Sequence, residues 1–216
     1  MRFLIILFMI TFLLAPPLRA EGPEIKVALS YDMINGLPDN AQCLERVRSV
    51  FPNLKIEDIP WKRIMLNLEY GYSDLTPCVF KTPAREKFTD LFGPIAYLPI
   101  IMVYSEYRDL ALDDIKPLKG VFLRGTSLIK QYTRPEMQVL EVNHIENILE
   151  MIKRDRADYS LMPANFVTNR DTDGLRVKTI DHMALYIGVS KKSKRREEIM
   201  QTLQDEIDFQ DYPINQ

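Results

Sequence analysis

The tripeptide Gly125-Thr126-Ser127 follows a strand-like run, residues 120–124, and opens a helix. Hydroxyls and N–H groups at such a junction either bind an anion or simply cap the helix. Glu45, Glu69 and His144 are the side chains available for general acid–base work, and each also reads as a helix-surface residue. His144 and His182 are the only histidines, and no close Cys/His spacing surrounds them, so a metal site is not expected. The sequence holds no nucleophile elbow, phosphate loop or zinc-protease helix, and it implies no cofactor.

The elements that must position these residues alternate along the chain. Residues 25–30 read as a strand, 39–51 as a helix with Cys43, Leu44, Val47, Val50 and Phe51 on one face, and 54–59 as a strand. Pro60 opens a second helix where its missing N–H costs nothing; Trp61, Ile64, Met65 and Leu68 follow at helical spacing, and Gly71 is the stop. A strand over 74–79 completes a βαβαβ unit. The plan repeats with a strand at 120–124, a helix from Gly125, a strand at 138–142, a helix over 143–156 and a strand at 158–162. In that last helix Asn143 is the expected N-cap, with Glu146 three residues on. A further strand is expected at 175–178. Apolar extended segments at 97–104 and 183–190 follow the two units, and a closing helix spans 192–209.

This alternation predicts open, mostly parallel sheets flanked by helices. Two units joined by two extended segments predict two lobes with a double hinge crossover. Residues 21–100 plus 185–216 are assigned to the first lobe and 101–184 to the second. Ligands of open α/β sheets sit beyond the carboxyl ends of the strands, here in the cleft between lobes.

Residues 1–20 carry Arg2, an apolar run from Phe3 to Ala15, two prolines and a small residue at Ala20, the layout of a secretory signal peptide. The run is too short for a bilayer span, so a periplasmic protein is expected after cleavage. Losing Arg2 and Arg19 moves the formal charge from −2 to −4. A slightly acidic chain has no electrostatic reason to seek nucleic acid. The cluster Lys191, Lys192, Lys194, Arg195, Arg196 runs straight into Glu197 and Glu198 and reads as a solvated helix start. In an exported chain, Cys43 and Cys78 are either bridged or two separate buried thiols.

The segment Pro77-Cys78-Val79-Phe80-Lys81-Thr82-Pro83-Ala84-Arg85-Glu86-Lys87-Phe88 resembles the threonine-proline-x-arginine segment of the bacterial family 3 extracellular solute-binding proteins. These are the polar-amino-acid-type receptors of ATP-binding cassette importers. Pro60-Trp61-Lys62-Arg63, the turn Leu68 to Asp74, Phe92-Gly93-Pro94-Ile95 and Gly125-Thr126-Ser127 extend the resemblance over the mature chain. It implies a two-lobed, type II periplasmic-binding-protein fold built of two open sheets. It places Arg85 on a ligand carboxylate, which suits a planar fork of donors that is always charged. It places Thr126 and Ser127 on the same carboxylate, Tyr31 over the ligand, and Trp61 as a secondary candidate. For Arg85 the alternative is a surface pair with Glu86 or Asp90.

Two positions depart from the family pattern. Phe80 stands where a serine is common, and Pro163 falls near the aspartate that binds the ligand ammonium. The loop over 32–38 is also short, trimming one wall of the cleft. A buried ammonium would lack its charged partner, so a carboxylate without one, or a more apolar small molecule, fits better. The resemblance thus implies a monomeric receptor for a small carboxylate, amino-acid-like or not, serving an importer permease or a membrane sensor. The alternatives are a ligand-free interaction protein on the same fold and, since a few relatives are dehydratases or lyases, an enzyme acting on small acids.

Overall fold

The computed structural model describes residues 24–37 and 43–207; the leader, residues 39–42 of the first expected helix and residues 208–209 of the expected closing helix lie outside them. The strands are β1 (Ile25–Leu29), β2 (Leu54–Asp58), β3 (Leu75–Phe80), β4 (Thr89–Ser105), β5 (Lys119–Leu123), β6 (Gln138–Val142), β7 (Tyr159–Pro163) and β8 (Leu175–Ser190). The helices are α1 (Tyr31–Ile34), α2 (Cys43–Val50), α3 (Trp61–Tyr70), α4 (Pro83–Glu86), α5 (Leu128–Tyr132), α6 (Ile145–Lys153) and α7 (Arg196–Glu206). Among the described residues no helix is long and apolar enough to cross a membrane.

Strands β2, β1 and β3 pair in parallel at one end, and β7, β5 and β6 do so at the other. Between these ends lie β8 and β4, antiparallel to each other and to their outer neighbours, giving the order β2-β1-β3-β8-β4-β7-β5-β6. The two expected sheets are therefore joined in one hydrogen-bonded ladder. They join because β4 and β8, 17 and 16 residues long, run through both lobes. At a rise of about 3.3 Å per residue each spans roughly 50 Å.

Alternation along the strands decides which core each side chain enters. In β1, Ile25, Val27 and Leu29 face α2 and α7, meeting Val47, Ile199 and Leu203, whereas Ala28 faces α3 with Ile64 and Leu68. In the second lobe Ile101 and Val103 of β4 pack with Ile148 and Ile152 of α6, while Met102 and Tyr104 meet Phe122 and Tyr159 on the other face. Both faces of both ends are thus covered, as parallel strands require. Helix α3 ends as its sequence predicts: Gly71 takes φ 76°, and its N–H returns to the last turn.

Three helix starts differ from expectation, the first being α5, which begins at Leu128 after Ser127 rather than at Gly125. His144, not Asn143, is the N-cap of α6 and makes no side-chain capping bond; Glu146 instead receives Arg170 Nε at 2.9 Å. Helix α7 begins at Arg196 because Ser193 holds the preceding turn, donating to Asp74 Oδ1 and accepting the Arg195 N–H at 3.1 Å. The basic cluster there is largely neutralised, with Arg195 on Glu198 and Arg196 on Asp90.

Candidate functional site

Strand β3 ends at Phe80, and Thr82 then caps the single turn α4, with Pro83 at its first position. The Thr82 hydroxyl accepts the Arg85 N–H at 3.3 Å. The turn brings the Arg85 side chain back beneath the strand end, where Nη1 donates to the Phe80 carbonyl at 2.7 Å. The guanidinium carbon lies 5.1 Å from the centre of the Trp61 ring. Arg85 is only 7 % exposed. Neither neighbouring acid pairs with it: Glu86 takes Lys81 at 3.1 Å, and Asp90 takes Arg196. Among the described residues no carboxylate forms an ion pair with Arg85, and burial pushes its pKa down to about 10.

Arg85 opens on a cavity of about 50 Å³ between the two lobes. Trp61, Phe80, Thr126, Ser127 and Pro163 also line it, so the structure gathers five of the six residues singled out for the ligand around one space. Among the described residues the Ser127 hydroxyl oxygen, buried there, has no hydrogen-bond partner. Thr126 Oγ1 reaches the Leu128 N–H only at 3.4 Å, and the Thr126 N–H is engaged by the Leu123 carbonyl at 3.2 Å. The hydroxyls at this junction are therefore better placed to accept a new partner than the first backbone amide. The lining contains no aspartate or glutamate.

Tyr31 is the sixth residue, and it does not line this cavity. It starts α1, is 39 % exposed, and its N–H is held by Asp58 Oδ1 at 3.1 Å. The chain turns helically at this point, so Met33, Ile34 and Leu37 supply that wall instead. Among the acid–base suspects, Glu45 pairs with Arg48 at 2.6 Å on α2, Glu69 is exposed on α3, and His144 lies in the outer part of the cleft. None lines the cavity with Arg85.

Sequence reasoning missed Asn165. It follows β7, is 2 % exposed, and reaches across the cleft to the short loop after β1: Nδ2 donates to the carbonyls of Met33 at 2.9 Å and Asn35 at 3.1 Å. Gly36 in that loop has φ 72°, and a Cβ there would stand 2.8 Å from Cβ of Thr168, so the loop sits directly on the second lobe. The remaining amide atom of Asn165, Oδ1, is buried and has no partner among the described residues. An asparagine between Ala164 and Phe166 carries no local signal of a partner more than a hundred residues away. Asn165→Ala removes this latch, and each hydrogen bond contributes about 0.5–1.5 kcal/mol. We expect faster amide hydrogen exchange over residues 33–37 by mass spectrometry; unchanged exchange there would mean that Asn165 does not hold the loop.

Cys43 and Cys78 form a disulfide, with Cα atoms 5.6 Å apart. It ties the start of α2 to β3 two residues before Phe80, and Cys78 itself lines the cavity.

Neither a protein-family model nor a curated protein sequence matches this chain. Solved structures do match. A variant of arginine-bound ArgBP from T. maritima superposes with a TM-score of 0.68 at 17 % identity, covering 84 % of this chain and 95 % of that one. The periplasmic VFT2 domain of BvgS from Bordetella pertussis gives 0.67 at 16 % identity, with 88 % and 90 % covered. The ancestral amino-acid-binding protein AncCDT-1, a precursor of cyclohexadienyl dehydratase, gives 0.68 at 14 % identity, with 84 % and 87 % covered. The strand order, the paired long crossovers and these likenesses agree on one conclusion: the chain has the two-lobed α/β fold of the periplasmic binding proteins.

Proposed function

We propose that this chain is a periplasmic solute-binding protein that clamps a small carboxylate between its lobes and presents the closed form to an importer permease or a membrane sensor. The observation that carries the proposal is Arg85, a buried guanidinium in the cleft with no carboxylate partner among the described residues. A buried charge without a counter-ion is costly, and a ligand carboxylate supplies one. The unpartnered Ser127 hydroxyl on the opposite wall gives that carboxylate a second donor. Phe80 and Pro163, with no acidic residue in the lining, leave a ligand ammonium without a charged acceptor. An acid lacking the α-ammonium therefore fits better than a standard amino acid. Closure follows by population shift, because only the closed state lets both lobes contact the ligand. The solved neighbours whose printed names describe arginine or amino-acid binding support a binding role over turnover.

A second reading, a ligand-free interaction protein, is favoured by the small cavity and the Asn165 latch. Thermal unfolding of the mature protein against amino acids, dicarboxylates, aromatic acids and small peptides separates the two. A ligand at a hundred times its dissociation constant adds about 2.7 kcal/mol, a rise of roughly 5–10 °C in Tm for a chain of this size. No shift across the panel would favour the interaction protein. Carboxylate binding should hold through neutral and mildly alkaline pH, because burial lowers the Arg85 pKa only to about 10 and the guanidinium stays charged there. The sign follows from the depressed pKa: burial disfavours the charged guanidinium in the free protein, and a bound carboxylate relieves that cost across this whole range.

A further inference from the structure

Outside the inner cavity the cleft widens into a second space of about 580 Å³. The two adjoin, because Ser30, Met33, Trp61 and Leu123 line both. The outer space has the size of a small-molecule site, and both lobes build it. The corner between β2 and α3 contributes Asp58 and Lys62; the far side contributes Arg124, His144, Glu146 and Arg170.

The charges there are unevenly satisfied. Both carboxylates are engaged, Asp58 by the Tyr31 N–H at 3.1 Å and Glu146 by Arg170 Nε at 2.9 Å. Arg170 is further occupied by the Phe166 carbonyl at 2.7 Å. Lys62 has no hydrogen-bond or ion-pair partner among the described residues, and the Arg124 guanidinium has only a loose contact with Glu141 at 3.9 Å. A backbone N–H leaves Asp58 its charge, so the chamber is positive on balance because Lys62, Arg124 and Arg170 outnumber Asp58 and Glu146, with one loosely held cation on each wall. Trp61 lies between the two spaces: its ring stacks near Arg85, and its neighbour in sequence is Lys62.

We infer that the solute is an extended dicarboxylate, with one carboxylate at Arg85 and the second in the outer chamber between Lys62 and Arg124, its chain passing the Trp61 ring. This rests on the reading of Arg85 as a carboxylate site and adds the second acidic group. The outer site is solvated, so its ion pairs contribute modestly, together about a tenfold gain over a monoacid of equal length.

The test is a calorimetric titration of the full mature chain with succinate, glutarate, adipate and pimelate, each against the monoacid of the same carbon number. We expect one diacid to bind about tenfold more tightly than its monoacid. In the Lys62→Ala/Arg124→Ala double variant that ratio should fall to near one, and in Lys62→Glu/Arg124→Glu it should drop below one. Both residues are exposed, so the variants should melt like the parent. Equal binding of diacids and monoacids by the parent chain, or a ratio that survives the double variant, overturns the inference while leaving Arg85 as a carboxylate site. No binding of any acid by the parent chain overturns both.

Discussion

Arg85→Ala is expected to weaken carboxylate binding by about thirtyfold or more, because truncating one partner of a buried, hydrogen-bonded charge pair costs about 2–5 kcal/mol. The free protein should lose little. In it the guanidinium has the Phe80 carbonyl and the Trp61 ring as compensation, and both must offset the burial that lowers its pKa. Truncation to alanine also removes packing volume, so Arg85→Met is the sharper companion. It keeps most of the volume, deletes the charge, and should leave the melting temperature unchanged or higher. Loss of binding in both variants with retained stability would separate a recognition role from a structural one. A variant that binds as tightly as the parent chain would place the acid elsewhere.

The second large effect concerns the disulfide. Cys43 and Cys78 are separated by 35 positions, and closing a loop of that size lowers the entropy of the unfolded chain by an amount worth about 4 kcal/mol. Cys43→Ala/Cys78→Ala, or reduction of the native bridge, should lower Tm by roughly 10 °C. The bridge also fixes β3 just ahead of Phe80, so ligand affinity should fall along with stability. Equal melting temperatures with and without the bridge would show that the native packing of Cys43 against the first-lobe core suffices.

Much of the scaffold is legible in the residues. The periodic faces of α3 and α6 identify Ile64, Leu68, Ile148 and Ile152 as core, and Gly71 marks a helix end because it takes the left-handed conformation that a glycine adopts freely. The long crossovers are only half visible. Residues 175–178 and 183–190 of β8 each read as a strand, whereas the mostly exposed residues 179–182 between them hide that the two are one. The β4 strand likewise begins before its apolar run, at Thr89. Capping was misread where tertiary partners intervened, since Glu146 serves Arg170 rather than the start of its own helix.

At the site, local chemistry and topology together brought Arg85, Trp61, Phe80, Thr126 and Ser127 to one cavity. Tyr31 fell outside because the short loop after β1 coils into a helical turn, rotating Met33 and Ile34 inward. Asn165 and the uneven charge of the outer chamber depend on contacts between distant segments. No periodicity or local motif encodes them.

The central claim is that Arg85 receives a ligand carboxylate, and the chain carries its own reporter. Trp61 is the only tryptophan, it lines the cavity, and its ring lies beside the Arg85 guanidinium. Titrating small mono- and dicarboxylates while following tryptophan emission should give a saturable change in the parent chain and none in Arg85→Met. Binding that leaves the emission unmoved, or an identical emission change in the variant, would contradict a carboxylate site at Arg85.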